Sequence, residues 1–147
     1  MTGLKEMLIT LCGVVGSFIS TMFGGWDDGM ATLIIFMAID YITGLILAGV
    51  FKKSPKSETG ALQSKAGLIG LCKKGLMLAI VLVAVRLDLV IGTTFIRDAT
   101  IIAFISNETI SIIENCGIIG IPIPKPIAKG IDILKQKGDG DSNENNS

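Results

Sequence analysis

The chain contains no histidine. That removes the commonest general base, the usual partner of a nucleophilic serine and the commonest metal ligand. Its three cysteines, Cys12, Cys72 and Cys116, are far apart and form no CxxC pair, which argues against a zinc or dithiol motif and leaves them as small apolar fillers. Aromatic residues are scarce at 5%, with one Trp and one Tyr, too few to wall a large ligand pocket. Net charge is absent as well: 13 basic and 13 acidic residues cancel, so no global field attracts nucleic acid. There is no phosphate loop or dinucleotide fingerprint. The stretch "DGDSN" at Asp139 to Asn143 begins like a calcium loop, but Glu144 occupies the position that requires glycine. No catalytic group, metal or cofactor is therefore expected.

What the chain has is hydrophobic mass in long blocks. Half of its 147 residues are hydrophobic, and the mean hydropathy is +0.65. Four apolar blocks stand out: Met7 to Phe23, Met30 to Phe51, a third from Gly75 to between Ile91 and Ile96, and Ala99 to Ile121. Runs of about 20 apolar residues cross the ~30 Å hydrocarbon core as helices. The expected fold is all-α: a small polytopic membrane protein with four transmembrane helices, or three plus one interfacial helix. Lys5 before the first block resembles a signal peptide, but no small-x-small cleavage site follows, so a retained helix is the better reading. "PIPKP" at Pro122 to Pro126 should end the fourth helix. Ile127, Ile131 and Leu134 then mark a short amphipathic helix suited to the membrane face. This puts a membrane domain at 1–137 and a polar, disordered tail at 138–147.

Basic residues orient the spans. The connection from Lys52 to Lys74 carries Lys52, Lys53, Lys56, Lys65, Lys73 and Lys74, and the last segment carries Lys125, Lys129, Lys135 and Lys137. The first connection carries only Asp27 and Asp28. The positive-inside rule makes the lysine-rich loop and both termini cytoplasmic and sets Trp26 at the outer interface.

The polar residues inside the blocks are the informative ones. Asp40 costs about 3 kcal/mol at mid-helix, and the eleven Leu, Ile, Val and Phe residues of its block return roughly 5. The fourth block has ten such residues, but Glu108 and Glu114 alone cancel their gain, so it should insert poorly by itself. Its polar side chains, Thr100, Asn107, Glu108, Ser111, Glu114 and Asn115, fall within an arc of about 120°. Three readings fit that stripe: the lining of a water-filled pore, a polar seam between helices, or a helix lying flat on the membrane.

Counted from the cytoplasmic ends of the blocks, Asp40, Arg86 and Glu108 lie about 16, 18 and 20 Å deep. They form one charge layer in which Arg86 is expected to pair with Asp40. Small residues mark packing faces: Gly13, Gly16, Ser17, Ser20 and Gly24 on the first helix, Gly44 and Ala48 on the second.

Three segments, "IDYITGLILAG" at Ile39 to Gly49, "SKAGLIGLCKK" at Ser64 to Lys74 and "SNETISIIENCGIIGIPIP" at Ser106 to Pro124, occur in this order. Their combination resembles the toxin-secretion and phage-lysis holin family of Gram-positive phages and clostridia, over roughly residues 25 to 135. The resemblance implies a protein of the bacterial cytoplasmic membrane that forms homo-oligomers among lipids. Its lesions release an endolysin or a toxin, with no direct contact to that partner implied. A small proton-coupled exporter would use the buried carboxylates instead, and an antiholin would regulate a separate lysis protein.

Overall fold

The computed structural model describes residues 1–143, with side chains through residue 137. Every regular element among them is an α-helix: α1 (Thr2–Met22), α2 (Asp28–Gly49), α3 (Ser64–Ile91), α4 (Ile96–Ile119) and α5 (Lys125–Asn143). The first four are long and apolar enough to cross a membrane. The breaks are chemically marked. The Asp27 carboxylate accepts the Met30 N–H at 2.9 Å and caps α2, with Asp28 in the first turn facing the positive end of the helix dipole. Left-handed glycines, Gly92 and Gly120, close α3 and α4, and the expected stop at "PIPKP" follows directly.

The surface is the reverse of a water-soluble protein's. Leu, Ile, Val and Phe side chains cover α1 and the outer faces of α2 and α3, whereas Asp40, Asp88, Arg97, Glu108 and Asn115 are buried. Charged residues go inside and aliphatic ones outside when the surrounding solvent is lipid. The chain is a multi-pass membrane protein.

The core is a seam between α2, α3 and α4. Met30, Leu33 and Met37 from α2 meet Val81 from α3 and Ile101 and Ile105 from α4. The spacings of three and four residues put each set on one helix face. α4 is the central helix, packed on α2, α3 and α5, while no residue of α1 is buried.

Three expectations change here. α3 begins at Ser64, not Gly75, so Lys65, Lys73 and Lys74 belong to a helix rather than a loop. Gly24 lies beyond the end of α1, in a turn with φ +78°, and packs no helix face. α5 turns its stripe only partly to the bundle: Leu134 packs against the core and Ile131 is half-buried, while Ile127 stays exposed. α5 also runs six residues past the expected end at 137. The last four residues of the expected disordered tail lie outside the described residues.

At the end of the bundle that holds the α1–α2 and α3–α4 turns, one arginine ties the two together. Arg97, in the first turn of α4 and 8% exposed, donates through Nε to the Phe23 carbonyl at 2.6 Å and through Nη2 to the Gly25 carbonyl at 3.0 Å. Its two terminal nitrogens fork onto Asp27 at 2.7 and 3.3 Å, and Nη1 also reaches Asp98 at 2.9 Å. Gly24 admits this approach, because a Cβ there would stand 2.9 Å from Arg97 Nε. Asp88 completes the knot by accepting the free N–H groups of Ile96 and Arg97, at 3.1 and 2.9 Å, and the Thr93 hydroxyl at 2.6 Å.

Removing the guanidinium strands two carbonyls and a carboxylate, so Arg97→Leu should lower stability in detergent by about 3 kcal/mol, and Arg97→Lys should recover little because an ammonium cannot fork. The Arg97 hydrogen bond holds the Asp27 carboxyl below the usual carboxylate range. The stabilisation it gives is therefore complete above the unfolded carboxylate value and lost as pH falls through the lower folded one. An acid melt should show that loss in the native chain, and Asp27→Asn should abolish it.

Candidate functional site

Depth along the helices decides which charges meet. Measured from the ends of the helices as they form, Asp40 lies about 14 Å from the end of α2, Lys74 about 15 Å from the start of α3 and Glu108 about 17 Å from the end of α4. Arg86 lies about 33 Å along α3 from the same start, more than a bilayer core away. The expected charge layer therefore exists with a different cation. Arg86 is exposed and pairs with neither carboxylate. Lys74 Nζ instead stands 2.6 Å from Asp40 Oδ2 and 2.5 Å from Glu108 Oε2. Lys74 is already ten residues into α3, so depth counted from it sets Arg86 too close to the carboxylates.

One lysine thus joins three helices. Asp40 is 5% exposed, Glu108 3%, and the Lys74 side chain 12%. α4 adds further ties from the same face, one and two turns on. The Ser111 hydroxyl donates to Asp40 Oδ1 at 2.6 Å, and Asn115 Nδ2 donates to Asp40 Oδ1 at 3.2 Å and Thr43 Oγ1 at 3.0 Å. The Thr43 hydroxyl in turn bonds the Asp40 carbonyl at 3.0 Å. Residues 108, 111 and 115 share a face because helical neighbours recur at three and four positions. Gly44 lies beside this seam, where a Cβ would stand in ordinary contact with Asn115 Nδ2 at 3.8 Å.

The six stripe residues divide. Glu108, Ser111 and Asn115 form the polar seam to α2 and α3. Asn107 and Glu114 lie exposed on its flanks, and the half-buried Thr100 turns its hydroxyl back to the Ile96 carbonyl at 2.7 Å. Of the small residues, Ala48 is buried and Gly44 packs as described. Gly13 and Gly16 have open space around them, and Ser17 and Ser20 share their unburied helix. Among the basic residues, Lys52, Lys53 and Lys65 are exposed, and Lys56 and Lys73 line a cavity of about 350 Å³ beside the lysine bridge.

Lys74 as the bridge and Arg97 as the knot were not foreseen. A signal for the first was present: two intramembrane carboxylates demand a nearby cation, and "KAGLIGLCKK" continues the apolar helical pattern upstream of Gly75. The second was masked because "RD" between two apolar blocks reads as an ordinary break.

The geometry is that of a charge clasp. A family model described as the bacteriophage holin family matches residues 17–136. A 14.9 kDa protein of the nagH 3′ region of Clostridium perfringens is 40% identical over 125 residues, covering 84% of this chain and 89% of that one. A Listeria innocua protein, Lin0175, is 34% identical over 130 residues, covering 88% and 86%. A probable holin of Bacillus phage phi105 is 31% identical over 108 residues, covering 73% and 74%. No solved structure matches the chain.

Lys74→Leu leaves two buried carboxylates side by side and should cost about 3–5 kcal/mol, seen as reduced membrane accumulation and an earlier melt. Adding Asp40→Asn and Glu108→Gln to that variant should recover part of the loss. Arg86→Leu should change stability by less than about 0.5 kcal/mol. An Arg86 effect as large as that of Lys74 would contradict the clasp.

Proposed function

Because the chain belongs to the bacteriophage holin family, we propose that it accumulates in a bacterial cytoplasmic membrane and oligomerises. It then opens lesions that release an endolysin or a toxin, with no catalysis of its own. The observation that carries this reading is the state of α4. Its polar face, Glu108, Ser111 and Asn115, is turned inward and tied to Asp40 and Lys74, while the surrounding helix faces are aliphatic. In that state the protein is quiet, because Glu108, Ser111 and Asn115 meet protein partners instead of lipid. In an oligomer the same face can turn to water, where its groups are satisfied without the clasp. Asn107 and Glu114, already exposed at the flanks, would be the first to meet that water. α1, unburied along its whole length and bearing Gly13, Gly16, Ser17 and Ser20, offers a face on which copies can pack closely.

The lysine distribution supports both termini and the 50–63 connection on the cytoplasmic side. With the native cysteines removed, an impermeant thiol reagent should label a cysteine at position 26 from outside the cell, and one at position 58 only after the membrane is opened. The reverse pattern would invert the topology.

Expression of the full chain should produce a delayed, abrupt loss of membrane potential, and co-expressed endolysin should then lyse the cells. Glu108→Gln with Glu114→Gln should shift the time of that loss, whereas Ile113→Leu, on the opposite side of α4 from the stripe, should leave it in place. A chain that accumulates in the membrane but neither depolarises cells nor releases endolysin would sink the proposal.

A further inference from the structure

α5 is the one helix whose place on the bundle conflicts with a bilayer. After the 120–124 connection it turns back and packs along α4. Leu134 reaches the core that contains Met37, Val81 and Ile105. Met37 and Ile105 each stand three residues, nearly one helical turn, beyond the clasp residues Asp40 and Glu108. α5 therefore penetrates about as deep as the clasp, and the nine residues from Lys125 to Leu134 make about 14 Å of helix. Its inward side is narrow. Leu134 and Ile131 are half-buried, whereas Lys129, Asp132, Lys135 and Lys137 are exposed.

At that depth an exposed side chain of the inserted protein faces hydrocarbon. Lysine stems carry their charge to water only from near a helix end or the interface, and Lys135 and Lys137 follow Leu134 into the bundle. Asp132 can offset one of the three lysines at most. The position of α5 and the insertion of α4 thus exclude each other in lipid, and the holds on the two helices are unequal. α4 is tied by the clasp and by the Arg97 knot. α5 is held through Leu134 and part of Ile131, with Ile127 and Ile133 exposed. Its joint also permits departure: Gly120 is left-handed at φ +93°, and Pro122 and Pro124 keep the connection out of a helix. At the bilayer interface the same sequence has no conflict. Ile127, Ile131 and Leu134 can lie toward the acyl chains while the lysines and Asp132 stay in water.

We infer that α5 is a strap with two stations. In the first, seen in this structure, Leu134 pins α4 to the core it shares with α2 and α3. In the second, α5 lies on the membrane interface and α4 is free of it. Lipid drives the exchange, because only the first station sets charges against hydrocarbon. The strap's role rests on the proposed turning of α4, to which it adds the element that must leave first.

Two nitroxides read the station directly. In the full chain with native cysteines removed, they are attached at Ala103→Cys in α4 and Gln136→Cys in α5, both exposed positions. Along the bundle these sites are about 8 Å apart with α5 against α4, and about 24 Å apart with α5 on the interface at the end of α4. Double electron–electron resonance in phosphatidylcholine–phosphatidylglycerol vesicles should give the longer separation for the native strap. Lys129→Leu, Asp132→Leu, Lys135→Leu and Lys137→Leu together remove the conflict, so α5 should stay on α4 and the distance should shorten by at least about 10 Å. Cells expressing that variant should depolarise later than cells expressing the native chain. A short distance with the native strap would overturn the inference, as would equal distances in the two chains. So would a variant that keeps α5 on α4 and still depolarises cells on the native schedule. The native distance decides alone where the variant fails to fold. If the native chain never depolarises cells, lesion formation fails as a reading while the distances still report the strap.

Discussion

Lys74 stands between Asp40 and Glu108, and most of the bundle's arrangement follows from what it would cost to leave either carboxylate alone in lipid. An unpaired ion in a low-dielectric interior costs several kcal/mol, more than any single aliphatic contact in this small core returns. The three helices must therefore bring those groups to one depth, and the rest of the packing accommodates that demand. Ser111 and Asn115 fill the remaining acceptor sites of Asp40, and α4 takes the central position because it carries the most polar atoms needing partners. A helix too polar to enter the membrane alone becomes admissible once its polar face is enclosed.

Arg97 does the corresponding work at the other end. Its guanidinium is suited to gathering two carbonyls and a forked carboxylate at a turn, where a lysine would satisfy only part of the set. The two ends differ in kind. The knot binds turns, where irregular backbone needs donors, and gives α4 a fixed origin through Asp88. The clasp binds side chains along helix faces, which can rotate away without breaking any backbone hydrogen bond. In the proposed function the knot is the pivot and the clasp is the part that opens.

The helices and their order could be read from hydropathy, because a lipid-spanning helix needs a long apolar run and few other solutions exist. The interior stripe of α4 could be read as well, since 100° periodicity puts residues 108, 111 and 115 together whatever they face. Partner identity could not. Assigning the cation depended on where α3 begins, and lysines at a membrane boundary look the same in a loop as in the first turns of a helix. Moving that start from Gly75 to Ser64 exchanged Arg86 for Lys74 and changed the chemistry of the layer. Gly24 misled in a similar way: its spacing continued the small-residue face of α1, but the chain had already left the helix and needed glycine for a positive φ and for the approach of Arg97. Local pattern identifies faces; where an element ends decides what those faces meet.

The most direct measurement holds α4 against α2 and asks whether the membrane can still be breached. In a chain freed of native cysteines, Gly44→Cys and Asn115→Cys put thiols on either side of the seam, within reach of a short bis-methanethiosulfonate reagent. If the inward face of α4 must turn to water for a lesion to form, cells carrying the cross-linked chain should keep their membrane potential. A reductant should then bring abrupt depolarisation. Loss of potential on the normal schedule while the cross-link remains intact would contradict the account.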